Sequence, residues 1–259
     1  MKLTIDPTIF EAFPDLNVGV VAIKGLDNLT ADRDIEAFLR HASLEAGLLL
    51  SLKPLASDHG VRAYRAALAK LGGAGEDCVP AMEAVLRELG EGIAAEKTAA
   101  LSGKAEQKAP GSVSGLVGDT ALRRFDPVTD LVRGAEIQFR LPVFAFDVGR
   151  EETPLALRRA EEGDVFTGEG GPSAPEAGEI IWAFGKEAAV RHFFCEAGEA
   201  GRVTGETRNV LVVLPCFAVN RRKAMSVRNE LARRMKDSFG RAAESAWLDK
   251  DTPEFISEI

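Results

Sequence analysis

The amino-acid sequence predicts a mixed α/β protein of the α+β kind, and three observations carry that expectation. Helical periodicity marks much of the first half, and β-branched or apolar runs at Val18–Ile23 and Val210–Leu214 read as buried strands. Beyond Asp147 the chain turns to short strands separated by Gly and Pro. With 259 residues and 46% apolar content, there is enough material for a real core, in one large domain or two small ones.

Taken in order, Phe13-Pro14-Asp15-Leu16-Asn17 makes a turn that feeds the strand Val18–Ile23. The loop Lys24-Gly25-Leu26-Asp27-Asn28 then places polar side chains, Asn28 among them, either toward a ligand or in a plain surface turn. Residues 31–50 are helical by composition. Val61, Tyr64, Ala67, Leu68 and Leu71 form the apolar face of a helix closed by Gly72-Gly73, with the single tyrosine packed and its hydroxyl paired at the rim. Pro80 opens another helix, with Met82, Val85, Leu86 and Leu89 on one side, and Gly90-Glu91-Gly92 is expected to end it. Ala, Gly, Ser and Lys dominate after residue 93, which reads as an insertion or lid over 93–124.

The stretch from Phe125 to Asp147 organises the rest. Asp126 can cap the first free N–H groups of a helix, and Pro127 suits its first position. Val128, Leu131, Val132, Ala135 and Phe139 share one face, and Leu141-Pro142 must end the helix before the buried run Val143–Phe146. Arg133 on this buried helix needs a partner, which is either a substrate group or an acid such as Glu136. Further on, Glu179–Phe184 and Ala188–Phe194 read as a strand pair joined near Gly185-Lys186, with Gly168–Pro175 a loop before them. Thr207-Arg208-Asn209 sits at the edge of strand 210–214, where Thr207 and Asn209 either bind a ligand or cap a turn. Residues 220–241 are helical and basic, with Arg221, Arg222, Lys223, Arg228, Arg233 and Arg234 as candidate contacts to phosphates and 220–259 a helical extension.

Charge and motif content exclude several classes. A net charge of −8 argues against a surface that binds nucleic acid everywhere while allowing a local basic stripe, and no apolar run suggests a leader or a membrane span. Three scattered cysteines point to a reducing compartment, so a cytoplasmic protein is expected. His192, Cys195 and Cys216 lack an evident fourth metal ligand, and Cys195 as a nucleophile would need a base that His192, on the same strand, cannot supply. No phosphate loop, dinucleotide fingerprint or serine elbow is present, so neither a cofactor nor a metal is expected.

The order of motifs resembles a known family. Phe13-Pro14, Val18-Gly19-Val20, Lys24–Asn28, the Tyr64 helix, Pro80-x-x-Glu83-Ala84-Val85-Leu86-Arg87 and Asp126-Pro127-Val128-x-Asp130-Leu131 are similar to the free-standing B3/B4 domain proteins. Those resemble the B3/B4 domain in the β subunit of bacterial phenylalanyl-tRNA synthetase. Leu157-Arg158-x-Ala160-x-x-Gly163-Asp164, Pro175-x-x-Gly178-Glu179 and Thr204-x-x-Thr207-Arg208-Asn209 continue the pattern to about residue 215. The resemblance implies a B3/B4-like domain over 1–219, with a mixed central sheet flanked by helices. It also implies binding of the aminoacylated acceptor end of tRNA and hydrolysis of a wrongly charged ester, with an amino acid as ligand and neither DNA nor membrane as partner. In the synthetase pattern the central helix carries Thr-Asn, a His precedes Ala-Phe-Asp, and a Glu ends the strand. Here Pro142 and Ala145-Phe146-Asp147 match, while Val132-Arg133, Phe144 and Val213 stand at the polar positions. No catalytic residue is therefore carried over. Arg133, Phe144, Thr207, Asn209 and Asn28 remain as candidate substrate contacts, and a non-catalytic amino-acid binder or a protein-interaction module are the alternatives.

Overall fold

The computed structural model describes residues 1–71, 79–101, 124–149 and 153–257. It is a mixed α/β fold built on two sheets. The smaller is antiparallel, in the order β11 (Ala243–Leu248), β2 (Asn17–Lys24), β10 (Asn209–Cys216), β3 (Phe144–Asp147). Its two middle strands are the two β-branched runs, buried almost end to end. The larger sheet begins β12 (Glu254–Ile256), β1 (Lys2–Ile5), β4 (Leu155–Arg159), β7 (Ile180–Phe184). It continues through β8 (Glu187–Arg191), β5 (Val165–Gly168) and β6 (Gly171–Ser173), with β9 (Glu196–Ala197) against β8. It is mixed, since β1 runs parallel to β4 and β5 parallel to β8 while the other pairs are antiparallel.

After the short α1 (Pro7–Ala12), the helices are α2 (Arg33–Leu52), α3 (His59–Ala69), α4 (Ala81–Leu101), α5 (Pro127–Phe139) and α6 (Arg221–Phe239). The expected start of α5 holds, as Asp126 Oδ1 accepts from Thr129 N at 2.9 Å. Its end is Arg140, which turns into the left-handed region at φ 50° before Pro142. α5 packs closely on α2 because Gly134 faces the Phe38 ring, where a Cβ would lie 2.8 Å from a ring carbon. No helix among the described residues is long and apolar enough to cross a membrane.

Several expectations change. α4 does not stop at Gly90-Glu91-Gly92 but continues to Leu101; each helical glycine costs about 1 kcal/mol, which the strong helix formers Ala94, Ala95, Glu96 and Lys97 outweigh. Of the stretch 93–124, residues 93–101 thus belong to a helix, and 102–123 lie outside the described residues, as does Gly72-Gly73. Tyr64 is in the core rather than at a rim, fully buried with its hydroxyl donating to Pro215 O at 2.8 Å. β8 stops at Arg191, and His192 and Phe193 are left-handed at φ 47° and 66°. Phe193 N donates to Ile180 O (2.7 Å) and Trp182 Nε1 to Phe193 O (2.8 Å), folding the chain back so that His192 and Cys195 share no strand. Beyond α6 the chain is not helical: β11 and β12 each add an edge strand, one to either sheet.

Candidate functional site

A cavity of about 370 Å³ opens between α5, β3 and the turn 198–203 that follows β9. α5 contributes Val132, Arg133 and Glu136; β3 contributes Phe144 and Phe146; Glu199 and Arg202 come from the turn. Residues three apart on a helix lie on one face, so Arg133 and Glu136 enter the cavity together. On β3, Phe144 and Phe146 are two residues apart and so point to one side of the pleat, where both line the wall with their rings 6.4 Å apart.

The polar pair is unusual. Arg133 is 14% exposed; Nη2 donates to Glu88 Oε2 at 2.6 Å, and the guanidinium lies 4.9 Å over the Phe125 ring. Arg133 Nε is buried and has no hydrogen-bond partner. Of the two partners foreseen for Arg133, the acid is therefore present, and it is Glu88 from α4. Glu136 is 4% exposed, and Oε1 accepts from Val143 N at a long 3.3 Å. Burial pushes its carboxyl up to about 8, against the opposing pull of the Val143 N–H and of Arg133. At neutral pH the cavity is thus lined by a guanidinium, its Nε–H buried and unpaired, beside a carboxylic acid still holding its proton.

Arg133 and Phe144 meet in this cavity; Asn28, Thr207 and Asn209 do not line it. Asn28 Nδ2 donates to Asp126 Oδ1 (2.7 Å) and Thr204 O (2.8 Å), while its Oδ1 accepts from Val128 N (2.9 Å), tying the loop after β2 to the start of α5. It borders a separate cavity of about 250 Å³ with Asp32, Arg124 and Asp130. Thr207 is fully buried, with Oγ1 donating to Asp147 Oδ2 (2.7 Å) and accepting from Thr204 N (2.9 Å). Asn209 Oδ1 accepts from Gly25 N at 3.2 Å. These three side chains act as braces between strand ends, the turn-capping reading of that segment.

Most cations of α6 are engaged within the chain. Arg233 pairs with Glu230 and Asp237, and Arg234 pairs with Glu230 and stacks 4.0 Å over Phe38. Arg228 donates to Ala246 O and, like Arg221, lies 5.8 Å over Trp247. Arg222 and Lys223 are exposed.

Sequence reasoning missed Glu136 as a site residue, although an acid three residues from Arg133 on an apolar face was the available signal. It also missed Glu88, because helix–helix contact is not written in either helix alone. Among the described residues, no group of three or more His, Cys, Asp and Glu side chains is placed to hold a metal ion.

No protein-family model matches the chain, and no curated protein matches it. Among solved structures it is similar to an N-terminal fragment of the phenylalanyl-tRNA synthetase β subunit from Pyrococcus horikoshii, at 12% identity and a TM-score of 0.39. That match covers 93% of this chain and 49% of the other, so the chain spans about half the length of that structure.

Proposed function

We propose that the cavity beside α5 holds the aminoacyl group of a charged tRNA and that the protein hydrolyses its ester. The observation that carries this reading is the pairing of a buried Arg133 Nε without a partner and a Glu136 carboxyl poised near 8, on the rim of an aromatic-walled cavity. A bare N–H donor suits the ester carbonyl oxygen, whose negative charge grows as water adds. A carboxyl whose proton leaves near 8 is a stronger base than an ordinary glutamate and could take the proton from that water. The carbon–oxygen bond to the ribose then breaks, the departing oxygen takes a proton, and free amino acid and tRNA result. Phe144 and Phe146 would enclose an apolar side chain. The resemblance of motif order to B3/B4 proteins supports the substrate class.

The test is a deacylation assay against tRNA charged with a panel of standard and non-protein amino acids. One ester should be hydrolysed well above the spontaneous rate, with a rate that climbs toward pH 8, and Glu136→Gln should reduce it by about a hundredfold or more. No hydrolysis across the panel would overturn the reaction.

A second reading, a binder of the free amino acid without tRNA, is favoured by the engagement of Arg228, Arg233 and Arg234 within the chain, which leaves less free charge on α6 for phosphates. Thermal stabilisation by one free amino acid, with no hydrolysis of its tRNA ester, would select this reading.

A further inference from the structure

A cleft of about 280 Å³ lies away from the α5 cavity, where the C-terminal ends of α2 and α5 meet the first turns of α3 and α6. Lys53, His59, Arg140 and Lys223 line it, together with Asp58 and Asn220. This is a local excess of positive charge in a chain whose net charge is −8. The one carboxylate is already occupied: Asp58 accepts from Gly60 N (2.8 Å) and Val61 N (3.3 Å) as the cap of α3, and forms an ion pair with Arg140 Nε at 3.0 Å. Lys53 and Lys223 have no ion-pair partner among the described residues.

Of these cations, Arg140 is held in place by its backbone as well as by Asp58. Arg140 is a non-glycine residue in the left-handed region at φ 50°, a conformation that costs about 1 kcal/mol or more unless its surroundings impose it. Gly60 permits this, since a Cβ there would sit 2.6 Å from Arg140 O. Although Lys223 is exposed along its length, desolvation around its ammonium, opposed by Asp58 and reinforced by Arg140, draws it below its ordinary range. Asn220 borders the cleft, with its side chain set against the buried Tyr64 hydroxyl. An anion with several acceptor oxygens would offset this excess of positive charge and give Lys53 and Lys223 the partner they lack.

We propose that this cleft is a second binding site and that it takes a phosphate group, held by Lys53, Arg140 and Lys223. Its ligand is either a free phosphomonoester or the phosphodiester of an RNA strand. The site is independent of the α5 cavity, so its failure would leave the aminoacyl reading untouched.

Calorimetric titration of the full chain tests it, with three probes at matched ionic strength: inorganic phosphate, adenosine 5′-monophosphate, and a short single-stranded RNA lacking terminal phosphates. The double variant Lys53→Gln/Lys223→Gln should bind about tenfold more weakly or worse, because charge-assisted contacts are lost. Lys236→Gln/Lys250→Gln removes the same charge elsewhere and should bind like the parent. Both lysines of the first variant lack ion-pair partners among the described residues, so it should fold, which circular dichroism checks. Tight binding of the first two probes alone assigns a phosphomonoester, and tight, variant-sensitive binding of the RNA assigns a phosphodiester. No binding by any probe, or binding equal in the Lys53→Gln/Lys223→Gln variant and the parent, would overturn the proposal.

Discussion

Glu136 sits where ionisation is least tolerated, and that has a consequence for stability separable from any reaction. Its carboxyl is raised by burial to about 8 in the folded chain, against 4.5 for the ordinary group. Below 4.5 both folded and unfolded forms are protonated, and Glu136 adds no pH dependence. Between 4.5 and 8 the unfolded form ionises while the folded one does not, so the folded protein loses stability as pH rises. Glu136→Gln keeps the shape and removes the proton. Urea unfolding at pH 5 and pH 8 should therefore show a drop in the parent that the variant lacks, and equal drops in the two would contradict the buried, protonated state. Glu83, Asp164 and Glu179 act in the opposite sense. Burial raises each carboxyl, but arginine hydrogen bonds, nearby positive charge and, at Asp164 and Glu179, backbone N–H groups together outweigh it and hold the carboxyl low, so their stabilisation is lost as pH falls through the acid range, well away from the Glu136 window. Arg133 was legible in the sequence as a buried cation in need of a partner. Its partner was not, because Glu88 reaches it across 45 positions of chain.

At the scale of elements, the segments that carried the motif pattern turn out to be braces. Arg158 grips Asp164 with two hydrogen bonds (2.6 and 2.9 Å), and Glu161 N closes the same turn on Asp164 Oδ2. Glu179 takes two bonds from Arg191 and one from His192 N, fixing the β7–β8 pair. Such residues are readable in sequence because a tight turn demands them, and that same role explains why Asn28 and Thr207 looked like ligand contacts. A polar residue beside a buried strand is needed whether it serves a ligand or the backbone. Asn28→Ala separates the two. It leaves Val128 N buried without its acceptor and removes a donor from the Asp126 side chain, which should cost about 2–3 kcal/mol of unfolding free energy. Ligand affinity in the α5 cavity, measured where the variant is still folded, should change little. A variant as stable as the parent but impaired in binding would restore Asn28 to the ligand.

At the scale of the molecule, helices and the two innermost strands were readable from periodicity, while the division into two sheets was not. Alternation says which face of a strand is buried, not which strand lies beside it. β1 illustrates this: its neighbours are β4, about 150 residues on, and β12 at the far end of the chain. The basic composition of α6 likewise concealed the two strands after it. Ala243–Leu248 covers β2 in register from Ala243 opposite Ile23 to Leu248 opposite Val18, and Glu254–Ile256 covers β1. A chain ending at Gly240 would expose the backbone edge of β2, whose residues Val18 to Ile23 are all buried, and the edge of β1. It would also remove Trp247, on whose ring Arg221 and Arg228 lie, unseating α6. Only Trp182 then remains of the two tryptophans, and in the complete chain it is fully buried. The truncated protein should show a red-shifted Trp182 emission, lose its cooperative thermal transition and aggregate at concentrations the parent tolerates. A sharp transition with an unshifted Trp182 would mean instead that residues 241–259 are an accessory to a core complete without them.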